Sequence, residues 1–410
     1  MRWRIAAAVA LLLLVTTVAS AVVLVRGGGP SDPISKAAAP FRYDLTGWEV
    51  RHIANRWLYK IGHLFDDGPS LAEEDDMLQR YFALAADVAS LDQQLGGGED
   101  ESLRSALEEK RKEQEWLENK VEAILEKRVS RLVEDEGLTT SLPLFSQVRF
   151  VFPPLDFEFD QPPLVLVISP RERISLDQAI LLRTGLTSEQ VTTLEEETAA
   201  SGVSSLVIDI SGIATYPSTV PEDASYEEVL ETVAHEWLHQ YLFFHPLGSH
   251  YFDNATLRTL NETVANIGGR QIADLVQQRL PLPQSSFAAD GAPEEPRIDF
   301  KAEMHELRLE VDRLLSEGKV GEAEALMEEK RKFLAENGFF VRKINQAYFA
   351  FNGLYGDTPA SSSLIGPKMV MLQRLSPSLG DYIRSVAGIT SEEELDRLLA
   401  ERAIGSLTPP

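Results

Sequence analysis

Residues 225–244 read SYEEVLETVAHEWLHQYLFF, and residues 254–270 read NATLRTLNETVANIGGR. In the first stretch Ser225 followed by Glu228 forms a capping-box pattern, which predicts a helix running to about Phe244. Val229, Val233, Trp237 and Tyr241 recur at helical spacing as an apolar stripe, and His235 and His239 fall on the far side of it. Two histidines four residues apart on a helix project one turn apart from the same side. Both rings can therefore reach one ion at the roughly 2.0 to 2.1 Å that zinc requires. Glu236 projects about 100° round the axis from His235, beside such an ion, where it can act as a base toward water. A catalytic zinc takes three protein ligands, so a further donor is expected on an element packed against this helix. Glu262 supplies it. Its surroundings, from about Asn254 to Leu280, carry Leu257, Leu260, Val264, Ile267, Ile272, Leu275 and Val276 at helical spacing. Gly268 and Gly269 would let this second helix approach the first closely.

His235, Glu236 and His239, followed by Asn261 and Glu262, resemble the gluzincin clan of metallopeptidases, which includes thermolysin-like enzymes and many aminopeptidases. The resemblance covers about 45 residues. It implies that His235, His239 and Glu262 hold zinc and that Glu236 is the general base of peptide hydrolysis without a covalent intermediate. It further implies that Asn266, one turn beyond Glu262, orients the first histidine. Clan members commonly draw an oxyanion donor from tyrosine or histidine, for which the candidates are Tyr348 and Tyr355, or else His245 and His250. The implied substrate is a peptide or protein. His52, His63 and His305 have no comparable partners and read as structural.

The rest of the chain frames this pair of helices. Arg2 and Arg4 precede an uninterrupted apolar run, Ile5 to Val25, whose 21 residues are long enough to span a bilayer as a helix. An uncleaved single-pass anchor with an extracytoplasmic body is expected; the competing reading is a signal cleaved after Ala19, Ser20 and Ala21. Residues 1–26 are thus the anchor and 27–40 a flexible, glycine- and proline-rich linker. Residues 41–140 are a helical region with a hairpin broken at Gly96, Gly97 and Gly98. A zincin-like core occupies 141–285, a loop 286–300, and a C-terminal helical region 301–410, where Lys301 to Asn337 bends at Gly318 and Gly321. Short apolar runs at Val148 to Phe152, Leu164 to Ile168 and Ser205 to Ile210 predict a small sheet. The stretch Ile213 to Ser218 is either a sheet edge able to receive an extended peptide or a connecting loop. Pro281 to Pro296 is a loop over the cleft or a disordered insertion. The expected fold class is α+β, mostly helical.

Composition sets the outer limits. The formal charge of -25 over 410 residues opposes binding to nucleic acid or anionic lipid. The chain has no cysteine, so disulfides, thiolate metal sites and cysteine nucleophiles are excluded. Two functional classes remain at this point: an active zinc peptidase, which an intact Glu236 favours, and a membrane-tethered interaction protein built on a peptidase fold, which the long helical hairpins favour.

Overall fold

The computed structural model describes residues 32–62, 68–96, 100–142, 145–282 and 298–407. The predicted anchor, Ile5 to Val25, lies outside the described residues, as do His63, Gly97, Gly98 and most of the stretch from Pro281 to Pro296. Among the described residues no helix is long and apolar enough to cross a membrane.

The linker expected to continue to Pro40 is instead structured from Asp32 onward. Asp32 caps the Ser35 N–H and Pro33 takes the first turn, giving helix α1 (Pro33–Ala38), with Ile34 and Ala38 buried. After α2 (Leu45–Gly62), a capping box at Ser70 and Glu73 opens α3 (Leu71–Leu95), and the left-handed Gly96 closes it. The returning α4 (Glu101–Asp135) runs antiparallel to α3, as the pairs Arg80 to Glu113, Lys110 to Asp87 and Arg111 to Asp92 show. Each exposed pair contributes at most about 1 kcal/mol. The stabilising contact is apolar: Leu78, Tyr81 and Leu84 are buried with Leu117, Val121, Ile124 and Leu125 in the main core. The hairpin therefore packs on its own molecule.

Strands β1 (Thr140–Leu142) and β2 (Phe145–Phe150) form an antiparallel hairpin, so the run predicted at Val148 to Phe152 pairs apart from the main sheet. β3 (Phe157–Phe159) follows. The main sheet comes from β4 (Leu164–Pro170), β5 (Gln178–Leu182) and, beyond helix α5 (Ser188–Ala199), β6 (Val203–Ile208), in the all-antiparallel order β5-β4-β6. The central strand is apolar at successive positions because both its faces are covered. Leu166 and Ile168 pack with Ile34 of α1 and Leu194 of α5; Val165 and Val167 pack with Ala347 from the C-terminal region. β7 (Ser218–Val220) runs parallel to β3.

The stretch from Ile213 to Ser218 is buried and already hydrogen-bonded, so it offers no open edge. Ile213 bridges Thr219, and the Gln240 amide donates to Thr215 O and Ser218 Oγ. Helix α6 (Tyr226–Phe243) then starts at the predicted Ser225 cap, and the short α7 (Pro246–Ser249) leads to α8 (Ala255–Arg279), capped by Asn254. The C-terminal region holds the predicted hairpin, α9 (Phe300–Ser316) and α10 (Val320–Glu336) around the left-handed Gly318, and then α11 (Gln346–Asn352), α12 (Ile365–Leu375), α13 (Leu379–Ala387) and α14 (Glu392–Leu407). The protein is a mostly helical α+β fold with small sheets.

Candidate metal centre

The centre depends on how closely α6 and α8 lie. A Cβ added at Gly269 would stand 3.0 Å from the His235 backbone nitrogen and 3.1 Å from the Glu231 carbonyl oxygen. One added at Gly268 would stand 2.7 Å from Leu238 Cδ1. At Gly269 a side chain would press on the α6 backbone itself, and at Gly268 on the tip of the Leu238 side chain, so the glycines allow the close approach that the sequence predicts for them. The apolar stripe of α6 is buried on the other side, with Val229, Val233 and Trp237 nearly inaccessible and the Trp237 indole N–H donating to Pro153 O at 2.9 Å. The histidine side of α6 is thereby turned toward α8.

His235, His239 and Glu262 converge there and form a group able to hold a metal ion. Their donor atoms are 3.0 Å apart between the two Nε2 atoms, 3.3 Å from His239 Nε2 to Glu262 Oε2, and 3.9 Å from His235 Nε2 to the same oxygen. Each ligand has its own support. His239 Nδ1–H donates to Asn261 Oδ1 at 2.7 Å, leaving Nε2 toward the common point. His235 is hydrogen-bonded to the backbone of Ala265. The buried Tyr251 hydroxyl donates to Glu262 Oε1 at 2.6 Å, so only Oε2 of that carboxylate faces the imidazoles.

The charges agree with this geometry. Burial and the neighbouring His239 hold His235 down at about 3. Burial also opposes charge on His239, but Glu262 outweighs it and raises His239 to about 9. Burial would raise Glu262, yet His239 outweighs it and the carboxyl is lowered to about 2. Near neutral pH His239 is thus held protonated beside ionised Glu262 while His235 stays neutral, so the point where the three meet favours one positive charge. Glu236 is buried beside them; burial pushes its carboxyl up to about 7, against the pull of His239 and with the repulsion of Glu262. Gly212 lies directly against it, since an added Cβ would be 2.6 Å from Glu236 Oε1.

Of the other predicted residues, Tyr355 reaches the centre and Tyr348 does not. The Tyr355 ring lies 6.1 Å from that of His235, and burial together with the charges of Glu262 and Glu236 holds its hydroxyl well above the usual tyrosine range. The loop that carries it is pinned on α8, where Gly356 N–H donates to Thr263 Oγ1 at 2.9 Å. Tyr348 packs instead edge to face on Phe349 in the apolar clusters, as a large aromatic with a helical neighbour to cover does. Asn266 also departs from expectation. Its amide donates to both carboxylate oxygens of Asp357, at 3.0 and 2.9 Å, a charge-assisted pairing that takes it away from His235. His245 and His250 bond the carbonyls of Tyr241 and Pro246 near α7, and His52 stacks on Trp48, all in local structural roles.

The sequence carries no local signal that marks Tyr251, Thr263 or Asp357 as part of the centre. All three act across loops, where no periodicity records which side chains meet; Asn261 alone had a visible signal, its place beside Glu262.

The chain matches no protein-family model, no curated protein and no solved structure.

Proposed function

We propose that this protein is a zinc-dependent peptidase with a zincin-like core, anchored to the membrane by Ile5 to Val25 with its body outside the cytoplasm. The observation that carries the reading is the spacing of the three donor atoms, 3.0, 3.3 and 3.9 Å. A tetrahedral ion with arms of 2.0 to 2.1 Å separates its ligand atoms by about 3.4 Å. The separations of His235, His239 and Glu262 lie within about half an ångström of that spacing, so a small shift of Glu262 toward His235 would complete the shell, and two imidazoles with one carboxylate are a donor set that zinc accepts.

Zinc held there supplies Lewis-acid polarisation of a substrate carbonyl and a lowered pKa for water. The chain's own residues do the rest. Glu236, poised at about 7, is substantially ionised at neutral pH, so it can take a proton from water and pass it to the leaving amine. The close approach of Gly212 excludes water from one side of that carboxylate. Tyr355, beside His235 with a hydroxyl that has no hydrogen-bond partner among the described residues, can donate to the developing oxyanion. Asn261 and Tyr251 keep the ligands oriented while the reacting groups change charge.

The test compares wild type with Glu236→Gln on a peptide library containing both blocked and free N-termini. The wild type should bind one zinc and cleave; Glu236→Gln should keep the zinc and lose on the order of 10²- to 10⁴-fold in rate. Zinc-loaded wild type that cleaves no peptide would refute the peptidase reading and leave a zinc-holding interaction protein.

A further inference from the structure

Beyond Ile208 the apolar side of β6 runs on toward the metal centre. On β6 itself Leu206 points to the face covered by α11 and Val207 to the opposite face. The same alternation carries Ile208 and Ile210 onto the α11 side, while the intervening Asp209 and Ser211 are exposed. Two residues past Ile210, at most about 7 Å along the chain, Gly212 stands against α6, where an added Cβ would be 2.6 Å from Glu236 Oε1. From the other direction, the Tyr355 ring lies 6.1 Å from that of His235, and the Phe351 ring, at the end of α11, lies 6.3 Å from Tyr355. Ile210 and Phe351 pack against one apolar cluster. One path from the base and one from a metal ligand therefore end on the same pair of side chains. Burial changes along this face. Its inner part is sealed, with Val167 and Ala347 fully buried and Leu206 nearly so. Ile208, Ile210, Phe351 and Tyr355 are each covered only in part. Apolar surface is thus left in contact with solvent at the end that borders Glu236 and His235.

We infer that Ile210 and Phe351 are specificity residues, the wall of a subsite that takes an apolar side chain of the substrate next to the scissile bond. This rests on the peptidase reading. An apolar side chain placed there removes its own surface and that of Ile210 and Phe351 from water together, whereas a charged one would lose hydration with no partner on this wall. The side chain belongs either to the residue whose carbonyl is attacked or to the residue that carries the leaving amine, and the two are separable.

The experiment measures hydroxamate binding to the zinc-loaded protein by calorimetry, because a hydroxamate held on the metal fixes where its side chain falls. N-acetylamino-acid hydroxamates place that side chain on the carbonyl side and succinyl hydroxamates place it on the leaving-amine side. Each series carries no branch, a benzyl branch or an aminobutyl branch. In one of the two series the benzyl probe should bind about tenfold or more tighter than its unbranched parent. Phe351→Leu, which keeps an apolar side chain in the cluster, should cut that advantage by about threefold. Ile210→Asp should reverse the order and favour the aminobutyl probe, a change that loss of packing alone cannot produce. A benzyl branch without advantage in either series, or an advantage that survives both substitutions, would overturn the inference while leaving the peptidase reading intact. A protein that holds no zinc would strike the peptidase reading, and this inference with it.

Discussion

The backbone of Gly269 lies so close to that of His235 that a single added methyl would sit 3.0 Å from the His235 nitrogen. All three nearest atoms are backbone of α6 and cannot swing aside. Gly269→Ala should therefore push α8 outward, costing about 1 to 3 kcal/mol of overpacking against at most about 1 kcal/mol of gained helix propensity. Glu262 lies on the displaced helix, so zinc affinity should fall at least tenfold. Urea unfolding of the metal-free protein and competition with a chelator check the two effects. Unchanged stability and affinity would show that the helices have room to spare.

Asn261 and Asn266 separate the orienting role from a neighbouring one. Asn261 accepts from His239, whereas Asn266 donates to Asp357 in the loop that carries Tyr355. Asn261→Ala should weaken zinc binding by about 10- to 100-fold. Asn266→Ala should leave zinc affinity near wild type and reduce hydrolysis through the displaced loop. The opposite pattern would restore Asn266 as the support of a ligand.

Proton linkage fixes the pH dependence of metal binding. His239 is raised from its ordinary 6.5 to about 9 by Glu262 despite burial. The stability this gives the metal-free protein is fully present below 6.5 and is lost as pH rises through about 9. Zinc needs the neutral imidazole, so between those limits its affinity should rise by about tenfold per pH unit with about one proton released per ion. Calorimetry at pH 7.5 in two buffers of different ionisation enthalpy measures that proton. A release near zero would contradict a protonated His239.

Away from the centre, Arg56 of α2 is buried among Glu122 and Glu126 of α4 and Asp156 and Glu158 of the β3 region. Arg56→Met removes the cation from a set of carboxylates and should cost about 3 to 5 kcal/mol. Burial already raises Glu158 to about 7 and Glu122 upward. Without Arg56 these groups are easier to tolerate when protonated, so the loss should be smaller at pH 5 than at pH 8. Denaturant melts at the two pH values decide it.

The two helices that meet at the centre were legible because periodicity and caps are local signals. Ser225 with Glu228 and Asn254 mark their starts within a residue, and a helix fixes the relative directions of His235 and His239. The pairing of α6 with α8 was legible through Gly268 and Gly269. What the sequence concealed is what depends on contacts across loops. Asn261 and Asn266 are both near Glu262 on α8, and spacing alone does not say which one a histidine meets; the charge of Asp357, almost a hundred residues downstream, decides it. Tyr348 and Tyr355 look equivalent in one aromatic run, yet Thr263 holds the loop of the second at the centre while Phe349 draws the first into the core. In the sheet, β5 and the Thr187-capped α5 are hard to see in the sequence because their apolar runs are short. The helix from Pro33 to Ala38 is hidden because the glycine- and proline-rich run reaches Pro33, which is the first residue of the helix.

The most direct test of the account is anomalous diffraction at the zinc edge from crystals grown with zinc. One peak is expected per chain, about 2.0 to 2.2 Å from His235 Nε2, His239 Nε2 and Glu262 Oε2, with Tyr251 still on Oε1. A zinc-replete crystal with no peak at that point, or with Glu262 turned away from an ion held by other residues, would contradict it.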